Sequence, residues 1–191
     1  MKSFRPVVLA HHFASKVIEP GDRCVDATVG NGNDTVFLAR CVGGAGRVLG
    51  FDIQRDAIAS ARRKLRERGL DESVLLQFEG HENVGQRLNA LGWSGIRIAM
   101  FNLGYLPGSD KRIVTRGDTT LSALGPCLDA LLPRGAISII AYRGHRGGEE
   151  EYHAVWNWAR QLDPSRYQVM RFERGSAIAP VFIWIERRGE G

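Results

Sequence analysis

Residues 25–39 read VDATVGNGNDTVFLA. A short apolar run ends on Asp26, the chain breaks into a stretch holding Gly30, Asn31, Gly32 and Asn33, and apolar helical spacing resumes after Asp34. A strand, a glycine turn and a helix in that order is how nucleotide-like ligands are held, because glycines let the backbone approach the ligand and the helix N-terminus faces it. The dinucleotide form of this turn, GxGxxG, needs a third glycine where Thr35 stands. A pyrophosphate also favours bare amides there, whereas this turn adds the carboxylate of Asp34 and follows a strand ending on Asp26. Two plainer readings stand beside a ligand role. Asn31 and Asn33 tolerate left-handed backbone, and Asp34 followed by Thr35 suits a helix cap.

The whole chain sets the frame for that turn. Its 191 residues, 43% hydrophobic and 25% charged, are the composition of one globular domain, residues 1–191, able to bury a substantial core. No run approaches the roughly 18 apolar residues of a membrane span, and the histidines of MKSFRPVVLAHHF interrupt what a signal peptide would need to be apolar. A cytoplasmic protein with no membrane partner is expected. Cys24, Cys41 and Cys127 are scattered, odd in number and without CxxC spacing, so they read as buried small hydrophobes rather than as a disulfide framework or metal site. The net charge of +5 favours a polyanionic partner, with basic residues gathered in ARRKLRERG, DKRIVTR, YRGHRGG and RFERG. Each cluster alone reads equally as a solvated face.

Strand-like and helix-like segments alternate from about residue 7, which argues an α/β fold with a parallel sheet covered by helices on both faces. A helix is expected over 7–18, a strand over 24–27, a helix from Thr35, and a strand in GRVLGFDI. A helix over 55–68 follows, with Ala57, Ile58, Ala61 and Leu65 on one face and mostly arginine and lysine on the other. Then come strands in VLLQFEG and IRIAMFNLG, a helix over 119–132, a strand in GAISIIAY and a helix over 149–162. YQVMRFER and APVFIWIER close the chain as two strands joined without a crossover helix, so they run antiparallel. A seven-stranded, mostly parallel sheet whose C-terminal hairpin inserts one reversed strand resembles the Rossmann-like fold of class I methyltransferases that use S-adenosylmethionine.

That cofactor has the needs that the opening turn meets: an ammonium, a sulfonium and a carboxylate, and no phosphate. Asp26 is placed to receive the ammonium, directly or through water, with Thr28, Gly30, Asn31, Gly32, Asn33, Asp34 and Thr35 around the ligand. About 20 residues after the glycines, Asp52 ends the second strand, where an acidic residue accepts ribose hydroxyls in methyltransferases and dehydrogenases alike. Ile53, Gln54 and the His81 and Glu82 of GHEN are then placed for the adenine end, although His81 also reads as a helix cap or a core-edge histidine. The fourth strand runs into FNLGYLPGSDK, which resembles the NPPY of methyltransferases acting on amino nitrogen. The Asn102 oxygen and the Leu103 carbonyl can accept N–H bonds and aim a nitrogen lone pair at the sulfonium carbon, while Tyr105 offers a face for a base. The plain alternative is that LPGSD is a turn and Tyr105 a half-buried aromatic.

DATVGNGNDT, GFDIQ, GHEN, FNLGYLPGSDK and YRGHRGGEEE, in this order, resemble the bacterial rRNA methylase family that includes tRNA 5-aminomethyl-2-thiouridine methyltransferases. The resemblance spans nearly the whole chain. It implies methyl transfer from S-adenosylmethionine to the primary amine of a 5-aminomethyl group on the wobble uridine, with the anticodon stem-loop of tRNA as partner. A homodimer is compatible with these features and not required by them. The resemblance places His11 of the first helix, Leu103, Tyr105, Lys111, Arg143, His145 and Arg146 toward the substrate, and Asn102 and Tyr105 at the reacting centre. His145 is the candidate for removing a proton, against the plainer reading that it contacts phosphate or orders its loop. Arg143 stands where the family commonly has proline, which bears on the rigidity of that loop. Methylation of ribosomal RNA by the same chemistry is one rival function, and a non-enzymatic NAD-type binding module is another.

Overall fold

The computed structural model describes residues 5–106, 108, 113–175 and 179–189. Six helices and seven strands alternate: α1 Pro6–Val17, β1 Arg23–Asp26, α2 Asn33–Val42, β2 Arg47–Phe51, α3 Arg55–Arg66, β3 Val74–Gln77, α4 Val84–Ala90, β4 Ile96–Leu103, α5 Gly117–Asp129, β5 Leu131–Ala141, α6 Gly148–Ala159, β6 Tyr167–Phe172 and β7 Val181–Arg187. They form one sheet in the order β3-β2-β1-β4-β5-β7-β6. Strands β1 to β5 are parallel, and β7 runs antiparallel between β5 and β6. The expected class I methyltransferase architecture, terminal hairpin included, is present.

Because side chains alternate across a strand, each strand feeds two cores. Cys24, Val48, Ile98, Met100, Phe182 and Trp184 face α1, α2 and α3, while Val25, Leu49, Phe101, Ile137, Ile139 and Ile183 face α4, α5 and α6. Helix α1 opens on Pro6, which suits a first turn. It lies close to the sheet because its buried residues Ala10 and Ala14 are small. Phe13 beside them packs against Phe182 and Trp184. Full burial of side chains of this size stabilises the fold by about 1.5–3 kcal/mol each. In α3 the buried stripe is Ala57, Ile58, Ala61 and Leu65, as the spacing requires, and the arginines face outward.

Three expectations need correction. Helix α4, seven residues long, was not foreseen, because Val84 and Leu88 are its whole buried stripe and one i,i+4 pair is too little periodicity to read. Strand β5 begins at Leu131 rather than Gly135, and α5 ends earlier. The register against β4 slips between Ile96 and Ile98, where Arg134 takes a left-handed φ of 62°. Finally, Cys24 and Cys127 are buried and free, but Cys41 is only half-buried. No helix among the described residues is long and apolar enough to cross a membrane.

Candidate active site

The sheet reverses its strand order between β1 and β4, and a ligand crevice forms at such a point beyond the carboxyl ends of the strands. A cleft of about 710 Å³ opens there, between the turn after β1, the ends of β2 and β3, and the segments after β4 and β5. Among the expected residues, Thr28, Gly30, Asn31, Asn33, Asp34, Asp52, Ile53, Gln54, His81, Glu82, Asn102, Tyr105 and His145 line it.

The turn after β1 depends on its two glycines. Gly30 and Gly32 take left-handed φ values of 49° and 77°, and a Cβ on Gly32 would lie 2.8 Å from Ala61 of α3. No side chain fits there, so the turn closes onto α3 only with glycine. Asn31 and Asn33 do not adopt left-handed backbone. They are instead tied to α3 by Lys64, whose Nζ donates to the Asn31 carbonyl (2.6 Å) and to Asn33 Oδ1 (3.0 Å). The helix-cap reading fails as well: Gly32 is the N-cap of α2, and no side chain caps it.

Asp34 and Thr35 have other partners. Thr35 Oγ1 donates to Asp26 Oδ2 at 2.6 Å, and Asp26 Oδ1 accepts the Thr28 N–H at 3.2 Å. Asp26 is fully enclosed beneath the turn rather than on the cleft wall. Burial, and then the neighbouring Asp34 carboxylate, push its carboxyl up to about 7. Asp34 does reach the cleft. Its Oδ1 lies 2.7 Å from His11 Nε2, and its Oδ2 accepts Asn102 Nδ2–H at 2.6 Å. His11 stacks on Phe37 with ring centres 3.9 Å apart and stands behind Asp34, outside the cleft lining.

Asp52 presents its carboxylate from the end of β2. Gly30 N–H and Gln54 N–H each donate to it at 2.8 Å. Burial raises its carboxyl above the ordinary value, while the two N–H donors oppose that shift. His81 is held by Nδ1, which donates to the Ala27 carbonyl at 3.0 Å. Burial lowers its pKa, keeping the imidazole neutral.

Across the cleft, the backbone N–H of Asn102 donates to Thr28 Oγ1 at 2.7 Å. With its Nδ2 committed to Asp34, the amide is oriented and Oδ1 is left as an acceptor. The Leu103 carbonyl, expected to serve beside it, instead accepts the Tyr142 N–H at 2.9 Å, and Leu103 is buried away from the cleft. Tyr105 is exposed at the mouth and meets His145 edge-on at 6.1 Å. Tyr142, which residue reading passed over within YRGHRGG, also lines the cleft. A tyrosine directly after a strand carries no signal of its own.

The basic residues divide. Arg143 is not a phosphate contact: its side chain is 6% exposed, pairs with Glu173 at 3.1 Å and Glu149 at 3.6 Å, and lies over the Tyr152 ring. It ties the loop, in which the family commonly has proline, to Glu149 of α6 and to Glu173 after β6. Arg146 is exposed and lines a second, neighbouring cavity. Lys111 lies outside the described residues.

The donor set fits a cationic ligand. Asp34, Asp52, Glu79 and Glu82 line the cleft against Arg116 as the one guanidinium among the described lining residues. A pyrophosphate would meet repulsion there, while a sulfonium and an ammonium are attracted. Asp52 can hold ribose hydroxyls, and Asp34 and the turn after β1 can hold the methionine end. Residues 48–186 match the model of the family described as "Putative rRNA methylase".

The chain belongs to the rRNA methylase family.

Relatives of the chain agree on the fold. It is similar to the chloroplastic tRNA (mnm(5)s(2)U34)-methyltransferase of Arabidopsis thaliana, at 38% identity over 94% of this chain and 68% of that protein. The crystal structure of a "putative rRNA-methylase" from Clostridium thermocellum superposes with a TM-score of 0.92 and 36% identity, covering 98% of this chain and all of that one (100%). A Streptococcus mutans "putative methyltransferase" solved in complex with SAH gives a TM-score of 0.86 at 35% identity, covering 97% of this chain and 99% of that one. Family, fold and cleft together make this chain an S-adenosylmethionine-dependent RNA methyltransferase.

Proposed function

We propose that the protein methylates the primary amine of a 5-aminomethyl group on the wobble (2-thio)uridine of tRNA, with the anticodon stem-loop as the docked partner. The observation that carries this reading is the oriented amide of Asn102. An acceptor oxygen beside an aromatic face suits an N–H-bearing substrate, and Asp34 holds the amide with that oxygen free. S-adenosylmethionine, when bound, supplies a methyl group activated by the sulfonium.

This chain's residues do the rest. Asn102 Oδ1 accepts one amine N–H and directs the nitrogen lone pair, and Tyr105 supports the base by its face. An aliphatic amine is mostly protonated at neutral pH and must lose a proton before it attacks. We assign that step to His145, which lines the cleft, and the step requires its ring to turn: Nδ1 lies 3.1 Å from the Arg146 carbonyl, and Nε2 is enclosed with no partner among the described residues. Arg146, exposed beside the cleft, serves the RNA backbone. Similarity to the plant tRNA methyltransferase supports the choice of tRNA.

Nucleoside mass spectrometry of tRNA from a deletion strain tests the proposal. The unmethylated 5-aminomethyl nucleoside should accumulate, and purified protein should restore the methyl group on that tRNA. Transfer to ribosomal RNA with none to tRNA would overturn it in favour of the ribosomal reading.

A further inference from the structure

The motif YRGHRGGEEE ends in three glutamates, of which Glu149 pairs with Arg143 and Glu151 has no place in the chemistry described so far. Glu151 lies in the first turn of α6 and is 3% exposed. A carboxylate so enclosed needs several donors or a cation to offset its lost hydration. Among the described residues no lysine or arginine pairs with it. Two threonine hydroxyls do: Thr115 Oγ1 donates to Oε2 at 2.6 Å and Thr120 Oγ1 to Oε1 at 2.7 Å.

Each threonine leads to one wall of the cleft. The Thr115 N–H donates to the Gly104 carbonyl at 2.9 Å, and the preceding residue, Val114, forms a bridge with Tyr105. Thr120 Oγ1 lies 3.5 Å from His81 Nε2, and His81 in turn is fixed to the Ala27 carbonyl. One carboxylate thus ties the Tyr105 side of the cleft to the His81 side.

We propose that Glu151 is a positioning residue for the methyl acceptor, holding Thr115 and through it the Tyr105–Val114 pair at the cleft mouth. The role in turnover rests on the function proposed above; the positioning itself does not. Tyr105 is among the more exposed aromatics of the described chain and meets His145 edge-on. The backbone bridge to Val114, and what anchors that bridge, contribute to its place.

The test uses the full chain with Glu151→Ala, Glu151→Gln and Thr115→Val, and reads three quantities. In Glu151→Ala, amide exchange at Tyr105 and Val114 should quicken, kcat/KM for tRNA should fall roughly tenfold or more, and calorimetric affinity for S-adenosylhomocysteine should stay within about threefold. Thr115→Val, which keeps the side-chain shape, should reproduce the exchange and kcat/KM effects and carries the test if Glu151→Ala fails to fold. Glu151→Gln should recover most activity, since the hydroxyls can turn to accept from its amide. Unchanged exchange at Tyr105 and Val114 in folded Thr115→Val would overturn the proposal. Quickened exchange, in a protein whose wild type methylates no tRNA, would uphold the positioning role and overturn the assigned substrate instead.

Discussion

The two walls of the cleft are held by different kinds of bond. On the cofactor wall the donors are backbone N–H groups, Gln54 two positions and Gly30 22 positions from Asp52, and the enclosed Asp26 beneath the wall likewise accepts the Thr28 N–H. On the acceptor wall the bonds join side chains from distant elements, with Asp34 holding Asn102 across 68 positions and Glu151 holding Thr115 across 36. Backbone donors come with the conformation of the turn and survive most substitutions, whereas a side-chain bond is lost with either partner. Damage on the cofactor wall should therefore appear in affinity, and damage on the acceptor wall in turnover.

Asn102→Ala is the strongest way to break that division. It removes the oriented acceptor and should lower turnover by roughly 10²-fold, with S-adenosylmethionine affinity changed only a few fold. Turnover near wild type in a folded variant would show that β4 does not present the acceptor. Asp52→Ala probes the other wall. Calorimetry should show S-adenosylmethionine binding weakened by about 1.5–3 kcal/mol, the scale for lost charge-assisted hydrogen bonds. If affinity is unchanged, the ribose hydroxyls are held elsewhere and the distinction between the walls fails.

The last effect, read as stability rather than as activity, concerns Asp26, which supports the turn from beneath. Its carboxyl is pushed up to about 7 by burial and then by Asp34, from an ordinary 3.8. The folded chain thus keeps a proton that the unfolded chain releases, so this group's contribution is fully present below about pH 4 and is lost as pH rises toward 7. Asp26→Asn cannot titrate. Denaturant unfolding at several pH values should show the variant gaining on wild type as pH rises through that window. Parallel stability profiles would mean that Asp26 is ionised like an exposed carboxylate and that the enclosure is not felt.

Much of the cofactor wall was legible from residues alone because its signals are local. Gly30 and Gly32 mark a turn by their conformational freedom, Asp52 follows an apolar strand at the spacing of a nucleoside site, and two strands without a crossover must be antiparallel. The same local rules placed Asn102 at the end of β4. They misjudged Asn31 and Asn33, whose type allows a left-handed backbone that the neighbouring glycines take instead.

What the sequence by itself determined is the order of the elements, the reversed strand at the end and the residues brought to the carboxyl edge of the sheet, because period and turn chemistry act over a few residues. The tertiary structure alone decided which charges stay in reach of a ligand. Asp26 and Asp52 end neighbouring strands, yet Thr35 folds over the first and leaves the second open. Arg143 and Arg146 are three positions apart, yet Glu149 and Glu173 enclose one while the other faces solvent. Leu103 gives its carbonyl to Tyr142, and Glu151 reaches Thr115 from another helix. In each pair the deciding partner comes from a distant part of the chain, and burial of a charge depends on that partner rather than on its neighbours in sequence.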